Sequence, residues 1–412
     1  MTVSSSILRT GLFGQCLILL LSILSLAVGA SETTAEGTTS FPKNIIVMIG
    51  DGCGFDHLEA ARCFQYGESG GPVYMDFDRY GMSTFPAGSP GYDPEKAWSD
   101  FSYVESEATD SAAAGTAIAT GVKTHNKLVG VDAEGNNVPN VTEKAEAAGR
   151  ATGIVTSVMF ADATPACHVA HVRQRSNRLD IIHQMVNESS VDVIMGTGNP
   201  LYSGDAILLA TPESYDPVGG PETWEGLQAG RLGGDTDGDG TPDPWKLIMS
   251  RKEFQDLMAG PTPKRVFGAA PASSTLQLSR SGDPEAPAFS VPLAPDMPTL
   301  AELTMGALNV LDEDPDGLFL MVEGGAIDWA AHANLSGRMV EEVVSFNESI
   351  QAVVDWIQTH GGWEQNLLVV TADHETGHLT GPGSNPEHKP VVCKGKGVMP
   401  EMEWHSTKHT NS

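Results

Sequence analysis

The chain has 412 residues, 40% of them hydrophobic, with 45 glycines, 26 prolines and a formal net charge of −29. This much apolar material excludes global disorder, and turn formers without a glycine period exclude collagen and coiled coil. With 53 acidic against 24 basic residues and no sustained basic stretch, nothing in the chain could neutralise a nucleic-acid backbone or an anionic bilayer.

Residues 1–30 run from Arg9 through an almost uncharged apolar stretch, Gly11 to Val28, into the small-residue ending Ala27-Val28-Gly29-Ala30. The pattern is that of a cleaved signal peptide. An uncleaved anchor is the alternative, and the small residues favour cleavage. The expectation is a secreted or periplasmic protein with no stable membrane span after cleavage. Residues 31–41 read as a disordered linker. Cys53, Cys63, Cys167 and Cys393 then lie in an oxidising compartment, at spacings that do not form a metal knuckle; pairing of Cys53 with Cys63 across a short helix is permitted but not required.

Asn44 to Gly50 is a continuous apolar run closed by Asp51-Gly52-Cys53-Gly54, as expected for a strand buried on both faces that ends in a tight turn. Similar runs recur at Phe101–Val104, Ala151–Met159, Val191–Met195, Leu318–Val322 and Leu367–Thr371. Segments of helical period separate the later ones. The longest covers Met339–Gln358, where Val340, Val343, Val344, Ile350, Val353, Val354 and Ile357 share one face, Asn347 is a polar exception, and His360-Gly361-Gly362 supplies the stop. The fold class is therefore α/β, a three-layer α/β/α sandwich with a large, mostly parallel central sheet. A catalytic domain is expected over 42–412, with a Gly/Pro-rich acidic insertion at about 197–298. In that insertion Asp235, Asp237, Asp239 and Asp243 take positions one, three, five and nine of a calcium loop with Gly240 at six, but Lys246 stands where the bidentate acid belongs. The loop reads equally as a Ca2+ site or a solvated acidic turn.

In parallel sheets reacting groups collect beyond the carboxyl ends of the strands. Asp51, Asp110-Ser111, Asp162-Ala163-Thr164, Glu323 through Asp328, and Asp373-His374 all follow apolar runs. One such acid is usually a cap or turn former. Several buried together repel one another unless cations sit among them. His332, His374 and His409 add nitrogen ligands suited to zinc, whereas Asp51, Thr164 and Glu323 offer only oxygen, which suits magnesium. Ser111 opens the helix-forming run Ser111–Ala119 and is either a nucleophile or, with Asp110, a helix cap. No Ser-His-Asp arrangement surrounds it, so metal activation is the more economical route.

Together the segments Ile49-Gly50-Asp51-Gly52, Thr109 to Ala113, Asp162 to Pro165, Val322 to Gly324 with Ile327-Asp328 and His332, Thr371 to His374, and His409-Thr410 resemble the alkaline phosphatases. The resemblance implies hydrolysis of phosphate monoesters through a phosphoserine at Ser111, with two Zn2+ and one Mg2+ per chain. Asp328, His332 and His409 would hold one zinc; Asp51, Asp373 and His374 would hold the other. Asp51, Glu323 and Thr164 would hold magnesium, with Asp162 in its outer shell. Arg175 would clamp the phosphate, Arg173 being the competing choice. Partners are then small phosphomonoesters, with a homodimer as an option. The same resemblance marks two departures: Trp329 stands where Lys or His would lie near the phosphate, and the chain stops three residues after His409, as a truncated product with a frayed ligand would. A phosphodiesterase or sulfatase-like hydrolase is the nearest alternative, although no Pro-Arg follows Ser111. A catalytically inactive secreted calcium-binding protein is the other. Asn140, Asn187, Asn334 and Asn347 match the glycosylation pattern.

Overall fold

The computed structural model describes residues 41–411 except 235, 237 and 238. The signal segment, nearly all of the linker, and Asp235 and Asp237 of the calcium loop lie outside the described residues. Seven strands form one sheet: β1 (Asn44–Gly50), β2 (Ala151–Met159), β3 (Val193–Thr197), β4 (Lys246–Ile248), β5 (Val266–Ala269), β6 (Leu318–Gly324) and β7 (Asn366–Ala372). Their order is β4-β5-β3-β2-β6-β1-β7, and every pairing is parallel. The helices that matter for the site are α1 (Phe55–Tyr66), α2 (Ser111–Thr120), α3 (Ala163–Cys167), α4 (Arg178–His183), α5 (Leu300–Leu311), α6 (Ala326–His332) and α7 (Ser336–Thr359).

Strand alternation explains the three layers. Ile46 and Met48 of β1 join one core with Leu303 of α5 and Val340 and Val343 of α7, while Ile45, Val47 and Ile49 join a second core with Ala112 of α2 and Ala163 of α3. Successive side chains of a strand point to opposite faces, so a strand covered on both sides must be apolar throughout. All seven residues of β1 are buried.

Two expectations change. Phe101–Val104 is no strand; Tyr103–Glu105 is a single 3-10 turn, because four aromatic-rich residues between polar turns can pack one side chain without joining a ladder. The stretch expected as an insertion supplies β4 and β5 to the edge of the sheet, pairing Lys246–Ile248 with Val266–Gly268. Within its acidic loop, Asp239 accepts from the Thr241 amide at 2.7 Å, and Asp243 is engaged by Lys264 at 2.8 Å and by the Thr236 hydroxyl at 2.8 Å.

The disulfide joins Cys63 to Cys393, with Cα atoms 5.1 Å apart, and Cys53 and Cys167 are free and buried. The permitted but not required Cys53–Cys63 pair does not form. Most of the segment between them is α1, whose rise separates its ends by roughly 12 Å, beyond the reach of a disulfide. In α7 the polar exception Asn347 is buried, accepting from the Tyr74 hydroxyl at 3.0 Å and donating to Gln65 at 3.2 Å. Asn140 is also buried, as the N-cap of a short helix, so neither asparagine presents a glycosylation site at the surface. Two small antiparallel ladders lie beyond the sheet: β8 (Glu375–Thr376) with β11 (His409–Thr410), and β9 (Leu379–Thr380) with β10 (Glu403–Trp404). No helix of the described residues is long and apolar enough to cross a membrane.

Candidate active site

The carboxyl ends of β1, β2, β6 and β7 converge. β1 delivers Asp51, β7 delivers Asp373 and His374, β6 delivers Glu323, and the turn after β2 delivers Asp162 and Thr164. Because Ile49 is in register with Glu323 and Gly50 with Ala372, the sheet itself brings Glu323, Asp51 and Asp373 to one edge. Helix α6 adds Asp328 and His332 one turn apart on one face.

The inner group is Asp51, Asp373 and His374, whose ligand atoms lie within 4.8 Å of one another. Asp373 Oδ1 accepts from the Gly52 amide at 3.1 Å and from the His374 amide at 2.9 Å. Asp373 Oδ2 is 3.2 Å from His374 Nε2. Thr164 donates to Asp51 Oδ2 at 3.2 Å, and Thr156 donates a short hydrogen bond to Glu323. The outer group is Asp328, His332 and His409. His332 Nε2 is 3.4 Å from Asp328 Oδ2 and 3.0 Å from His409 Nε2, and the His409 ring stacks on His374 with centroids 3.8 Å apart.

The nitrogen tautomers follow from the hydrogen-bond network. His332 Nδ1 faces the Thr407 carbonyl at 2.7 Å and His409 Nδ1 faces the Thr109 carbonyl at 2.9 Å, so each Nδ1–H donates. Thr376 gives its own proton to Asp328 Oδ1 at 2.6 Å and thus accepts from His374 Nδ1 at 3.3 Å. All three Nε2 lone pairs are then turned inward, two of them only 3.0 Å apart, an arrangement that a shared cation would satisfy. Backbone or hydroxyl partners on Nδ1 are the usual second shell of metal-binding histidines.

The carboxylates say the same. Asp51 Oδ1, Asp162 Oδ2 and Asp373 Oδ2 are buried without a hydrogen-bond partner, a costly state unless an ion completes them. Burial, followed by the neighbouring carboxylates, pushes the Asp51 carboxyl well above its ordinary range, and burial likewise raises Asp373. Glu323 is pushed up to about 7, chiefly by burial. Burial and then the adjacent His409 hold His374 well below the ordinary imidazole range. Neutral imidazoles facing carboxyl groups that repel each other's charge form a donor set fitted to divalent cations. Zinc fits the mixed groups, and magnesium the oxygens of Asp51, Thr164 and Glu323.

Ser111 is the first residue of α2. Its Oγ is 3.2 Å from His374 Nε2, and it lines a cavity of about 510 Å³ with Arg175, Asp328, Trp329, His332 and His409. Asp110 performs the capping, accepting from the Ala113 amide at 2.9 Å, so the serine hydroxyl is not spent on the helix. The second oxygen of Asp110 holds Arg175 at 3.3 Å, a role that its position beside the serine did not reveal. Arg173 instead reaches the Gly135 carbonyl at 2.9 Å and is not among the cavity residues. Arg178 binds Asp162 Oδ1 at 2.9 Å, another contact without a sequence signal. Beyond His409, the Asn411 amide donates to the Val104 carbonyl and its side chain to the Ser106 carbonyl, both at 2.7 Å.

Residues 42–405 match the family model described as alkaline phosphatase. The chain is 30% identical to alkaline phosphatase 4 of Bacillus subtilis over 84% of its own length and 64% of that protein's, so it spans somewhat less than two thirds of that relative. It is 31% identical to the alkaline phosphatase of Escherichia coli, over 84% of this chain and 74% of that one. Its fold is like that of the cold-active alkaline phosphatase of a psychrophilic Shewanella, with a TM-score of 0.65 at 22% identity over 90% of this chain and 92% of the other. From its strand-end ligands, its helix-borne serine and these likenesses, the chain belongs to the alkaline phosphatase family.

Proposed function

We propose that this protein hydrolyses phosphate monoesters by passing the phosphoryl group first to Ser111 and then to water. The observation that carries the reading is the Ser111 hydroxyl, left free by Asp110 at the N-terminus of α2, sharing one cavity with Arg175 and the His332/His409 pair. Two Zn2+ would be held by Asp51, Asp373 and His374 and by Asp328, His332 and His409; one Mg2+ would be held by Asp51, Thr164 and Glu323, with Asp162 beside it. When bound, these cations supply Lewis acidity and cancel the charge that builds up on the oxygens around phosphorus.

The chain's own residues do the rest. The first amides of α2 point toward an anion placed at Ser111. Arg175, steadied by Asp110, presents a planar fork to two phosphoryl oxygens. The Ser111 oxygen attacks phosphorus as the bond to the alcohol breaks, and the proton that Ser111 gives up is taken by the leaving alcohol; water then attacks from the vacated side, the Ser111 O–P bond breaks, one water proton restores the Ser111 hydroxyl, and hydrogen phosphate leaves. With the metals in place, the carboxylates and Arg175 leave a cationic pocket in an anionic protein, so capture of the dianion depends on the local cluster and not on long-range attraction. The disulfide supports an exported protein, since such bonds persist in oxidising compartments. The intact ligand set gives no support to the inactive calcium-binding alternative.

Phosphate release from p-nitrophenyl phosphate should stop on chelation and return with zinc and magnesium. Acid quenching during turnover should trap a phosphoprotein in the native enzyme and none in Ser111→Ala. Trapping at an unchanged level in that variant, or a fully metallated enzyme inert toward monoesters, would sink the reading.

A further inference from the structure

His409 belongs to no strand of the main sheet. Its backbone is carried by β11, which pairs only with β8, and there Thr410 lies opposite Glu375. Glu375 directly follows the inner ligand His374 and is 4% exposed. Its two oxygens are fully used: Oε1 accepts from the Leu379 amide at 3.0 Å, and Oε2 accepts from the His378 amide at 3.1 Å and, by a short bond, from the Thr410 hydroxyl. Its stem also fills the space over Gly54, where a Cβ would lie 2.3 Å from Glu375 Cγ. A single side chain thus touches the turn after Asp51 with its stem, and the loop after His374 and the strand of His409 with its carboxylate.

We infer that Glu375 is the positioning residue for His409. It fixes the strand that carries the outer ligand to the segment that carries the inner one, and so sets the approach of the His409 and His374 rings. The bond to Thr410 is the part of this clamp that a local structural role would not require, because the two amide bonds alone close the turn 375–379. Glu375 touches no reacting atom; it acts through Thr410 on the zinc at Asp328, His332 and His409, and the inference rests on the zinc reading proposed above.

The test follows zinc leaving the loaded enzyme toward a chromophoric chelator, counted in equivalents, for the native protein, Thr410→Val, Thr410→Ser and Glu375→Gln. Thr410→Val removes only the hydroxyl, and Thr410→Ser retains it. One zinc equivalent is expected to be lost about 10- to 100-fold more readily in Thr410→Val and Glu375→Gln, as for other changes to groups that hold a metal ligand in place. The other equivalent should be unaffected, and Thr410→Ser should behave as native. Hydrogen exchange of the holoenzyme should show faster exchange at residues 409–411 in Thr410→Val. Native release of both equivalents in Thr410→Val, or equal loss of both, overturns the role of Glu375 while leaving the zinc reading intact. A native protein that takes up no zinc at the histidine pair overturns both.

Discussion

The inner and outer ligand groups are built differently. Asp51, Asp373 and His374 follow two adjacent strands of the main sheet and are 7%, 0% and 2% exposed, so the ladder between β1 and β7 positions them. The outer group takes Asp328 and His332 from α6 and His409 from a two-residue strand outside the sheet. The side chains of His332 and His409 are 39% and 17% exposed. The core places one group; side-chain bonds at the periphery place the other. In such a centre the outer cation should exchange first, and damage to the periphery should be recoverable by adding metal.

That contrast can be broken most directly at Asp51. Asp51→Asn should lower kcat/KM by roughly 10³-fold, and a zinc titration should not restore it; full recovery with excess zinc would erase the distinction between the groups. His332→Ala should cost about 10- to 100-fold at limiting zinc and recover as zinc is raised, measured as kcat/KM against free zinc. The disulfide sharpens the comparison, since it ties α1 to the segment that leads through β10 to His409. Cys63→Ser with Cys393→Ser should lower stability by about 2–5 kcal/mol in denaturant titration and should release the outer zinc before the inner. The smallest effect lies away from both groups. Burial, followed by the neighbouring Glu341, pushes Glu342 up to about 8. The native state therefore keeps a proton that the unfolded chain gives up, and this contribution to stability is lost as pH rises from the ordinary glutamate range through about 8. Glu342→Gln should flatten that part of the pH–stability curve of the metal-free protein, followed by thermal unfolding; an unchanged slope would assign it to the site carboxylates.

Much of the fold was legible because β1, β2 and β6 are buried on both faces and so appear as unbroken apolar runs; β7, half-buried at the sheet edge, still carries a run from Leu367 to Val370. β4 and β5 escaped notice: they are three and four residues long, at the sheet edge, inside a stretch dominated by glycine and proline. The site was legible for the same reason as the strands, since each acid follows a run that ends where the pocket begins. What stayed hidden depends on contacts between distant segments. The Cys63–Cys393 bond spans 330 residues, and nothing local to either cysteine specifies its partner. The bonds of Asp110 to Arg175, Arg178 to Asp162 and Glu375 to Thr410 likewise join residues whose neighbours in sequence give no sign of them. Phe101–Val104 misled because four apolar residues serve a turn as readily as a strand.

The β8–β11 ladder has a consequence for biosynthesis. Synthesis proceeds from the N-terminus, so Ser111 and Asp51 emerge from the ribosome long before His409, the last residue of the proposed outer zinc site. Until the segment around His409 docks on β8, the nascent chain lacks one of the three imidazoles of the candidate site. On the reading proposed above, the site would stay incomplete until almost the whole chain has been made.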